Sequence, residues 1–262
     1  MSGLYSDVPG GYNQLLSHLP THGIIAISIQ SILEVPSDSL YLLYANIIQF
    51  LGANLTQYLP AGVGGDINGS LVGMGHSAGG KIIVKTLLEE CTLLRAAILH
   101  SPVDGLDPWG WINDYVLDPP NLVNFSVPVL LMGTGLESLP GREFLPPCGP
   151  PDRNFNKFFS CMRPDMYFLE ALDFGHADFL DDELWETLYL SQFCKTTTDV
   201  NGRQYYIDFA AGAITAFIVG IVQGNCATLE YLTNAATFPI PNVNVNTTKL
   251  INSCPTPKCT RD

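Results

Sequence analysis

The segment Gly-His-Ser-Ala-Gly-Gly-Lys at residues 75–81 has the pattern most capable of chemistry, because Gly75 and Gly79 flank Ser77. In a nucleophile elbow a serine occupies a sharp strand-to-helix turn, and the small residues two positions away let strand and helix approach closely. An apolar run precedes Ser77 and a helical pattern follows it, so the required context is present. We interpret Ser77 as a catalytic nucleophile. The alternative is a small-residue packing turn.

A serine hydroxyl needs a general base, and near neutral pH this is most often a histidine. His176 fits best among the five histidines, because it lies on a loop after the last apolar run. This matches the order serine, acid, histidine along α/β-hydrolase chains. The alternative is a surface histidine hydrogen-bonded to Asp178 or Asp181.

The triad acid must lie between Ser77 and His176 in sequence and follow a strand end, so that its carboxylate can fix the histidine tautomer. Asp104 follows the run after the nucleophile helix, and Glu137 follows the next run. We favour Asp104, because a short aspartate on a glycine turn is easily pre-positioned. Asp107 and Glu137 remain alternatives, and Asp104 can also be a plain turn residue.

Metal and dinucleotide chemistry find little support in the sequence. There is no Glu-x-x-His pair on a helical pattern, no Cys-x-x-Cys pair, and no Gly-x-Gly-x-x-Gly opening a strand–helix unit. We therefore expect neither a metal nor a cofactor.

An aromatic loop contains Trp109, Trp111 and Tyr115, with Phe125 further along the chain. Long ordered loops in a compact domain are commonly functional. We predict that Trp109 and Trp111 bind substrate as part of a lid over an apolar group. A surface loop packed on the core is an equal alternative.

The positioning elements alternate in type. Apolar, β-rich runs occur at residues 23–29, 70–75, 95–101, 127–135 and 166–174. Helical patterns cover residues 39–51, 77–90 and 185–193. Nearly continuous apolar strands alternating with helices predict an α/β fold with a mostly parallel sheet and helices on both faces.

The composition is that of one large, acidic domain. Of 262 residues 47% are hydrophobic, and 12 basic against 25 acidic residues give a net charge of −13 without a basic cluster. Nucleic acids and anionic membranes require Lys/Arg patches, so neither is an expected partner. The apolar run 209–224 is shorter than the roughly 20 residues of a membrane-spanning helix, so we predict a buried helix there. We assign residues 1–236 to one domain and 237–262 to a polar tail.

The chain contains four N-glycosylation sequons, which begin at Asn54, Asn68, Asn124 and Asn246. Seven cysteines allow up to three disulfides. We expect Cys148 and Cys161 to staple the loop between them, and Cys254 or Cys259 to tie the tail. These features are compatible with a secreted glycoprotein, and equally with chance sequons and reduced cytosolic thiols. The opening residues show no signal-peptide pattern.

Several stretches resemble the chlorophyllase family of α/β hydrolases: YSDVPGGYNQLLSHLPTHGIIA, LVGMGHSAGGK, AAILHSPVDG, VPVLLMGTGL, LPPCGPPDRNFNKFFSC and LDFGHADFLDDE. The resemblance extends from about residue 3 to residue 224. It implies an α/β-hydrolase fold and a metal-free ester hydrolase with a Ser-Asp-His triad, whose substrate is the phytyl ester of chlorophyll. Matching the family motifs places the nucleophile at Ser77 and the base at His176.

Three features depart from the family pattern. Ala78 replaces the usual arginine, and Ser101 replaces the aspartate often taken as the triad acid in plant members, which leaves Asp104 three residues later. The family's first three strands, and the His-Gly turn that lends an oxyanion N–H, have no counterpart here. We therefore expect an N-terminally incomplete sheet with a gap between residues 23–29 and 70–75.

These observations predict a serine carboxylesterase that cleaves a bulky or long-chain alkyl ester, a small-molecule partner, through an acyl-enzyme. Ser77 attacks the carbonyl, His176 relays the proton and Asp104 orients the imidazole. The N–H groups of Ala78 and Leu4 face the oxyanion. The alternatives are a catalytically inactive α/β-hydrolase-like binding or secreted protein, and an enzyme that cleaves amides or thioesters.

Overall fold

The protein is built around a five-stranded sheet in a computed structural model that describes residues 11–29, 37–65, 70–123, 125–162, 165–247 and 249. The strands are β1 (Val72–His76), β2 (Ala96–His100), β3 (Val129–Thr134), β4 (Met166–Ala171) and β5 (Val243–Asn246). They lie side by side in chain order. The first four are parallel, and β5 is antiparallel to β4.

Burial explains why four of the predicted strands form. Every residue of β2 and β3 is buried, as expected for central strands of a parallel sheet covered on both faces. Such strands read as unbroken apolar runs, which is the pattern that the sequence shows. The predictions at 70–75, 95–101, 127–135 and 166–174 are confirmed with boundary shifts of a few residues.

The first predicted strand, at residues 23–29, does not form. Residues 24–29 belong to no helix or strand, and Ile25 and Ile27 are 39% and 42% exposed. Within the described part of the chain β1 is the edge of the sheet and pairs only with β2. An apolar run becomes a strand only where a neighbour takes its backbone hydrogen bonds, and none lies beside this one in the described residues.

In the described part of the chain, six α-helices surround the sheet. They are α1 (Asn13–His18), α2 (Ser37–Asn54), α3 (Ala78–Glu90), α4 (Phe155–Cys161), α5 (Asp182–Ser191) and α6 (Gly202–Val222). The helical patterns at 39–51, 77–90 and 185–193 lie on α2, α3 and α5. The short helices α1 and α4 are not predicted from the sequence.

Each face of the sheet carries its own apolar core, because alternate side chains of a strand point to opposite faces. Ile98 and Leu130 pack with Phe217 in the core that includes residues of α1, α5 and α6. Leu99 and Leu131 pack in the core that includes residues of α2, α3 and α4. The predicted α/β architecture with helices on both faces is confirmed.

The apolar C-terminal run lies within α6, which begins earlier than predicted, at Gly202, and is 21 residues long. By length and composition α6 passes as a membrane span, but 67% of its most apolar window is buried inside the protein. This burial is typical of a core helix. Part of the predicted polar tail also joins the domain, because Val243–Asn246 form β5.

Candidate active site

The turn between β1 and α3 holds Ser77 in a conformation that L-residues rarely adopt, with φ 56° and ψ −131°. A strained backbone of this kind marks functional turns. Neighbouring glycines make it possible: a Cβ on Gly75 would collide with the backbone of Gly79, and one on Gly80 would lie 2.6 Å from Cβ of Pro102. The Gly-x-Ser-x-Gly pattern therefore folds as the predicted elbow.

The loop after β4 brings His176 to this serine. His176 Nε2 lies 2.8 Å from Ser77 Oγ, and the histidine is 7% exposed. Ser77 follows β1 and His176 follows β4, which are the first and the last of the four parallel strands. The two residues are 99 positions apart along the chain, so the fold brings them together. The structure joins the two residues that the sequence analysis named as nucleophile and base.

The loop between β4 and α5, which carries His176, is called the base loop here. Asp178 anchors this loop and does not pair with the His176 ring. Its carboxylate accepts hydrogen bonds from the backbone N–H of Gly175 and of Thr197 and from Trp185 Nε1, each at 2.7 Å. Three donors on one buried carboxylate fix the path of the loop on either side of His176.

Glu137 is the carboxylate that the structure places beside His176. Its Oε2 lies 3.7 Å from His176 Nδ1 and accepts a hydrogen bond from Thr134 Oγ1 at 2.8 Å. The hydroxyl of Ser101 lies 3.2 Å from that of Thr134. The glutamate is buried. The 3.7 Å separation exceeds a hydrogen bond, but catalytic contacts are often long without substrate and shorten in the reacting complex.

Asp104, the acid favoured from the sequence, has other partners. Its buried carboxylate accepts from the N–H groups of Val116 (2.8 Å) and Leu117 (3.1 Å) and pairs with Lys157 Nζ at 2.7 Å. These donors occupy the carboxylate and direct it to the aromatic loop. The structure therefore does not bring Asp104 to His176.

Sheet topology explains the difference. His176 follows β4, whose parallel neighbour is β3, and Thr134 at the end of β3 pairs with Ala171 at the end of β4. Glu137 comes three residues after Thr134. Asp104 follows β2, one strand further away. Asp107, the other alternative, accepts from the N–H groups after it in a local turn.

Burial moves the pKa values of the pair in opposite directions. Desolvation raises the pKa of Glu137 to about 8 and lowers the pKa of His176 to about 4. Both changes favour the uncharged form of the group. At neutral pH the resting site therefore holds a neutral imidazole, ready to accept a proton, beside a largely protonated carboxyl.

One of the two predicted oxyanion donors lies within the described residues. Ala78 begins α3, and the first N–H groups of an α-helix have no acceptor within the helix. The N–H of Ala78 thus lies at the start of the helix, directly after Ser77. Leu4 lies outside the described residues.

The aromatic loop presents two stacked indoles to solvent. The rings of Trp109 and Trp111 lie 5.1 Å apart at 20°, and the ring of Phe193 lies 6.5 Å from that of Trp109. Trp111 is 78% exposed, whereas Phe125, also expected here, is buried in the core. The loop starts beside the nucleophile, because Val103 N donates to Ser77 O.

Three basic side chains fix the aromatic loop in place. Lys81 Nζ, on α3, pairs with Asp114 at 2.7 Å, and its side chain is fully buried. Lys157 holds Asp104, and Arg153 donates to the backbone carbonyls at 107 and 108 at 3.0 and 2.9 Å. Charged groups that are buried and paired in this way resist separation. These contacts attach the aromatic loop to α3 and to the segment at the start of α4 at several points.

A disulfide joins Cys148 to Cys194, so the expected bond between Cys148 and Cys161 is wrong; Cys161 is a buried free thiol. Cys148 precedes Gly149, whose N–H donates to Glu137 O. Cys194 precedes the segment that donates to Asp178 through Thr197. The disulfide thus links the segment bonded to Glu137 with the segment that anchors the base loop. Cys91 and Cys226 are also disulfide-bonded, and Cys254 and Cys259 lie outside the described residues.

Comparison with known proteins identifies the family of this chain. The chlorophyllase family model matches residues 5–249. Chlorophyllase-1 of Arabidopsis thaliana is 27% identical over 232 residues, which cover 84% of this chain and 70% of that protein. Chlorophyllase-2 of the same plant is 28% identical over 225 residues, with 82% and 70% covered. A protein of Citrus unshiu named "Chlorophyllase-1, chloroplastic" is 28% identical over 240 residues, with 87% and 69% covered. With its parallel sheet and strand-to-helix serine turn, the chain belongs to the chlorophyllase family of α/β hydrolases.

Proposed function

We propose that the protein is a carboxylic ester hydrolase in which Ser77, His176 and Glu137 form the catalytic triad. The 2.8 Å contact between Ser77 Oγ and His176 Nε2 at a strained elbow carries the proposal. Membership of a family whose relatives are named chlorophyllases supports the reaction class. Glu137 replaces Asp104 as the proposed acid because it is the carboxylate that faces His176.

The geometry suits a two-step acyl transfer. As Ser77 Oγ attacks the ester carbonyl, His176 Nε2 accepts its proton, and the N–H of Ala78 stabilises the oxyanion. The protonated imidazole then gives the proton to the leaving alcohol, and an acyl-enzyme forms on Ser77. Water, deprotonated by His176, releases the acid and restores the serine. A Glu137 carboxylate beside Nδ1 stabilises the imidazolium present between these transfers.

For the substrate we propose an ester with a bulky apolar alcohol, such as the phytyl ester of chlorophyll that the relatives' name suggests. The aromatic loop supports this choice, since Trp109 and Trp111 offer a fixed apolar surface. Such a wall does not need to be ordered when substrate binds, which lowers the entropic cost of binding.

Replacing both tryptophans with alanine is expected to raise KM about tenfold or more for the ester of a long-chain alcohol, because each indole removes substantial apolar area from water. The KM of the methyl ester of the same acid is expected to change much less, since a methyl group does not reach the loop. Steady-state kinetics on esters of one acid with alcohols of increasing length measures the effect.

Tyr58→Ala is a suitable control for the double tryptophan variant, because Tyr58 is also exposed (66%) but follows α2. It is expected to leave both KM values unchanged. An equal rise in KM for short and long esters would remove the support for an apolar subsite.

The proposed function is tested first by labelling the protein with a fluorophosphonate and locating the adduct by mass spectrometry. An adduct on Ser77 supports the serine hydrolase. A soluble, folded sample without an adduct would favour the inactive binding protein. If labelling succeeds, faster turnover of a matched amide or thioester than of the oxygen ester would show that the protein cleaves an amide or thioester bond by the same serine mechanism.

The pKa values of the pair predict an alkaline rise in activity. Since the pKa of His176 is lowered to about 4, the base is neutral throughout pH 5–9 and causes no loss on the acid side of neutrality. Since the pKa of Glu137 is raised to about 8, its carboxylate forms as the pH increases through that value. We expect kcat/KM for an uncharged ester to rise about tenfold from pH 7 to pH 9. Glu137→Gln should remove the rise, and a rise centred near pH 6.5 would instead report an ordinary histidine.

A further inference from the structure

We propose that His76, oriented by the hydroxyl of Tyr12, is a positioning residue that holds the backbone of His176 and so keeps the catalytic base in line with Ser77. This inference rests on the proposed function, because it concerns how that site is held. His76 is not a candidate for the base itself, since the elbow directs its side chain away from the serine.

The His76 side chain links the nucleophile turn to the base loop. His76 is the last residue of β1 and directly precedes Ser77. Its Nε2 lies 3.0 Å from the carbonyl oxygen of His176, and the two rings lie 4.9 Å apart at 33°. His76 is 4% exposed, so water does not replace this contact readily. One side chain thus sets the distance between the two residues that exchange the proton.

The partners of the His76 ring determine its tautomer. A carbonyl oxygen can only accept, so Nε2 must carry the hydrogen that it donates to His176. Burial lowers the pKa of His76 and keeps the ring neutral, which leaves Nδ1 as an acceptor. Tyr12 Oη lies 2.7 Å from Nδ1 and therefore donates to it.

Loss of the Tyr12 hydroxyl would leave the His76 ring held at Nε2 alone, with Nδ1 as a buried acceptor that has lost its donor. The ring would then tilt about its remaining bond, and its N–H would no longer point in a fixed direction at the His176 carbonyl. The base loop would then move away from β1 and lengthen the bond between His176 and Ser77. Small displacements of a general base have large effects on rate.

The segment that carries Tyr12 is itself fixed to the base loop. The carboxylate of Asp181 accepts from the N–H of Gln14 at 3.1 Å and from that of Asn13. The N–H of Asp181 donates to Gly11 O at 2.9 Å. Asp181 is five residues after His176, so these bonds attach the backbone on both sides of Tyr12 to the base loop. The Tyr12 side chain contacts the same loop through His76. The Tyr12 hydroxyl is thus held in place to orient the ring.

A second tyrosine–histidine pair offers a matched control. Tyr206 Oη lies 3.0 Å from His100 Nε2, and both residues are buried. The His100 ring stacks on that of Phe179 at 4.0 Å and lies 5.4 Å from that of His76, but its described hydrogen bond is to Tyr206 and not to the base loop. Removing either tyrosine hydroxyl leaves one buried histidine nitrogen without its partner, which costs a similar amount of stability.

The test compares Tyr12→Phe with Tyr206→Phe. Tyr12→Phe is expected to lower kcat and the rate of fluorophosphonate labelling of Ser77 by about five- to tenfold, with KM within twofold of the original. Tyr206→Phe is expected to lower the melting temperature about as much as Tyr12→Phe does, and to leave kcat and the labelling rate within twofold of the original. Unchanged rates in Tyr12→Phe, or equal losses in both variants, would overturn the positioning role.

A double-mutant cycle with His76→Gln separates an effect through the His76 ring from a general loss of stability. The glutamine amide donates from near the place of Nε2 but has no ring nitrogen at the place of Nδ1 for Tyr12 to hold, so adding Tyr12→Phe in the His76→Gln background should change kcat by less than twofold. A full additional loss would contradict the inference. Labelling of Ser77 in the unchanged protein separates the two claims: without it the proposed function fails and the inference falls with it.

Discussion

Replacement of Ser77 with alanine is expected to abolish turnover of a p-nitrophenyl ester, with kcat falling by about 10⁴-fold or more, because the nucleophile is removed. The melting temperature is expected to stay nearly unchanged. The Ser77 side chain caps no backbone group of α3, and alanine at φ 56° carries the same backbone strain as serine. Steady-state kinetics and thermal unfolding of the purified variant measure both quantities.

Ser160→Ala is the control for this experiment. Ser160 lies on α4 and donates only to the carbonyl of Asn156 within that helix. It is expected to keep full activity and full fluorophosphonate labelling. A Ser77→Ala protein that retained most of its activity would show that another group is the nucleophile.

Replacement of Glu137 with glutamine is expected to lower kcat by about 10³- to 10⁴-fold, the magnitude known for triad acids changed to their amides. The amide cannot stabilise an imidazolium as a carboxylate does. KM is expected to change little, because Glu137 is buried behind His176 and does not line an open surface. The pH profile of the variant serves as a second reading of the same loss.

Asp104→Asn is the matched variant for the acid, since it makes the same chemical change at the other candidate. We expect it to lower the melting temperature, because the Lys157 ammonium loses its carboxylate partner and partly buried charges left unpaired are costly. Its kcat is expected to remain within a few-fold of the original. The reverse result, a large kcat loss in Asp104→Asn and a small one in Glu137→Gln, would return the acid role to Asp104.

The turn at Ser77 and the loop position of His176 could be predicted from sequence because each depends on local context. Ser77 needs small neighbours and a strand-to-helix junction, and both are visible in a short segment. The acid depends on which strands are neighbours and on what else a carboxylate meets. The donors that occupy Asp104 lie 12, 13 and 53 residues away along the chain. Spacing from Ser77 carries no information about them.

The same reasoning separates the predictable strands from the others. Strands buried on both faces, such as β2 and β3, leave an apolar signal in their own residues. Residues 23–29 carry that signal too, yet their state depends on whether a partner strand is present. β5 reads Val-Asn-Val-Asn, a polar alternation that gains its place only by pairing with β4. Edge pairing is a property of the fold, and a local window does not reveal it.

The proposed nucleophile and base follow β1 and β4, the two ends of the parallel part of the sheet. Three inter-strand spacings of about 4.8 Å each, roughly 14 Å, separate these strands, and the loops above them must converge to make a contact of 2.8 Å. The contact therefore exists only while all four strands keep their register. The proposed catalysis is therefore coupled to the cooperative integrity of the whole parallel sheet, and we expect a partly unfolded form that retained only a helix or a hairpin to have no residual activity.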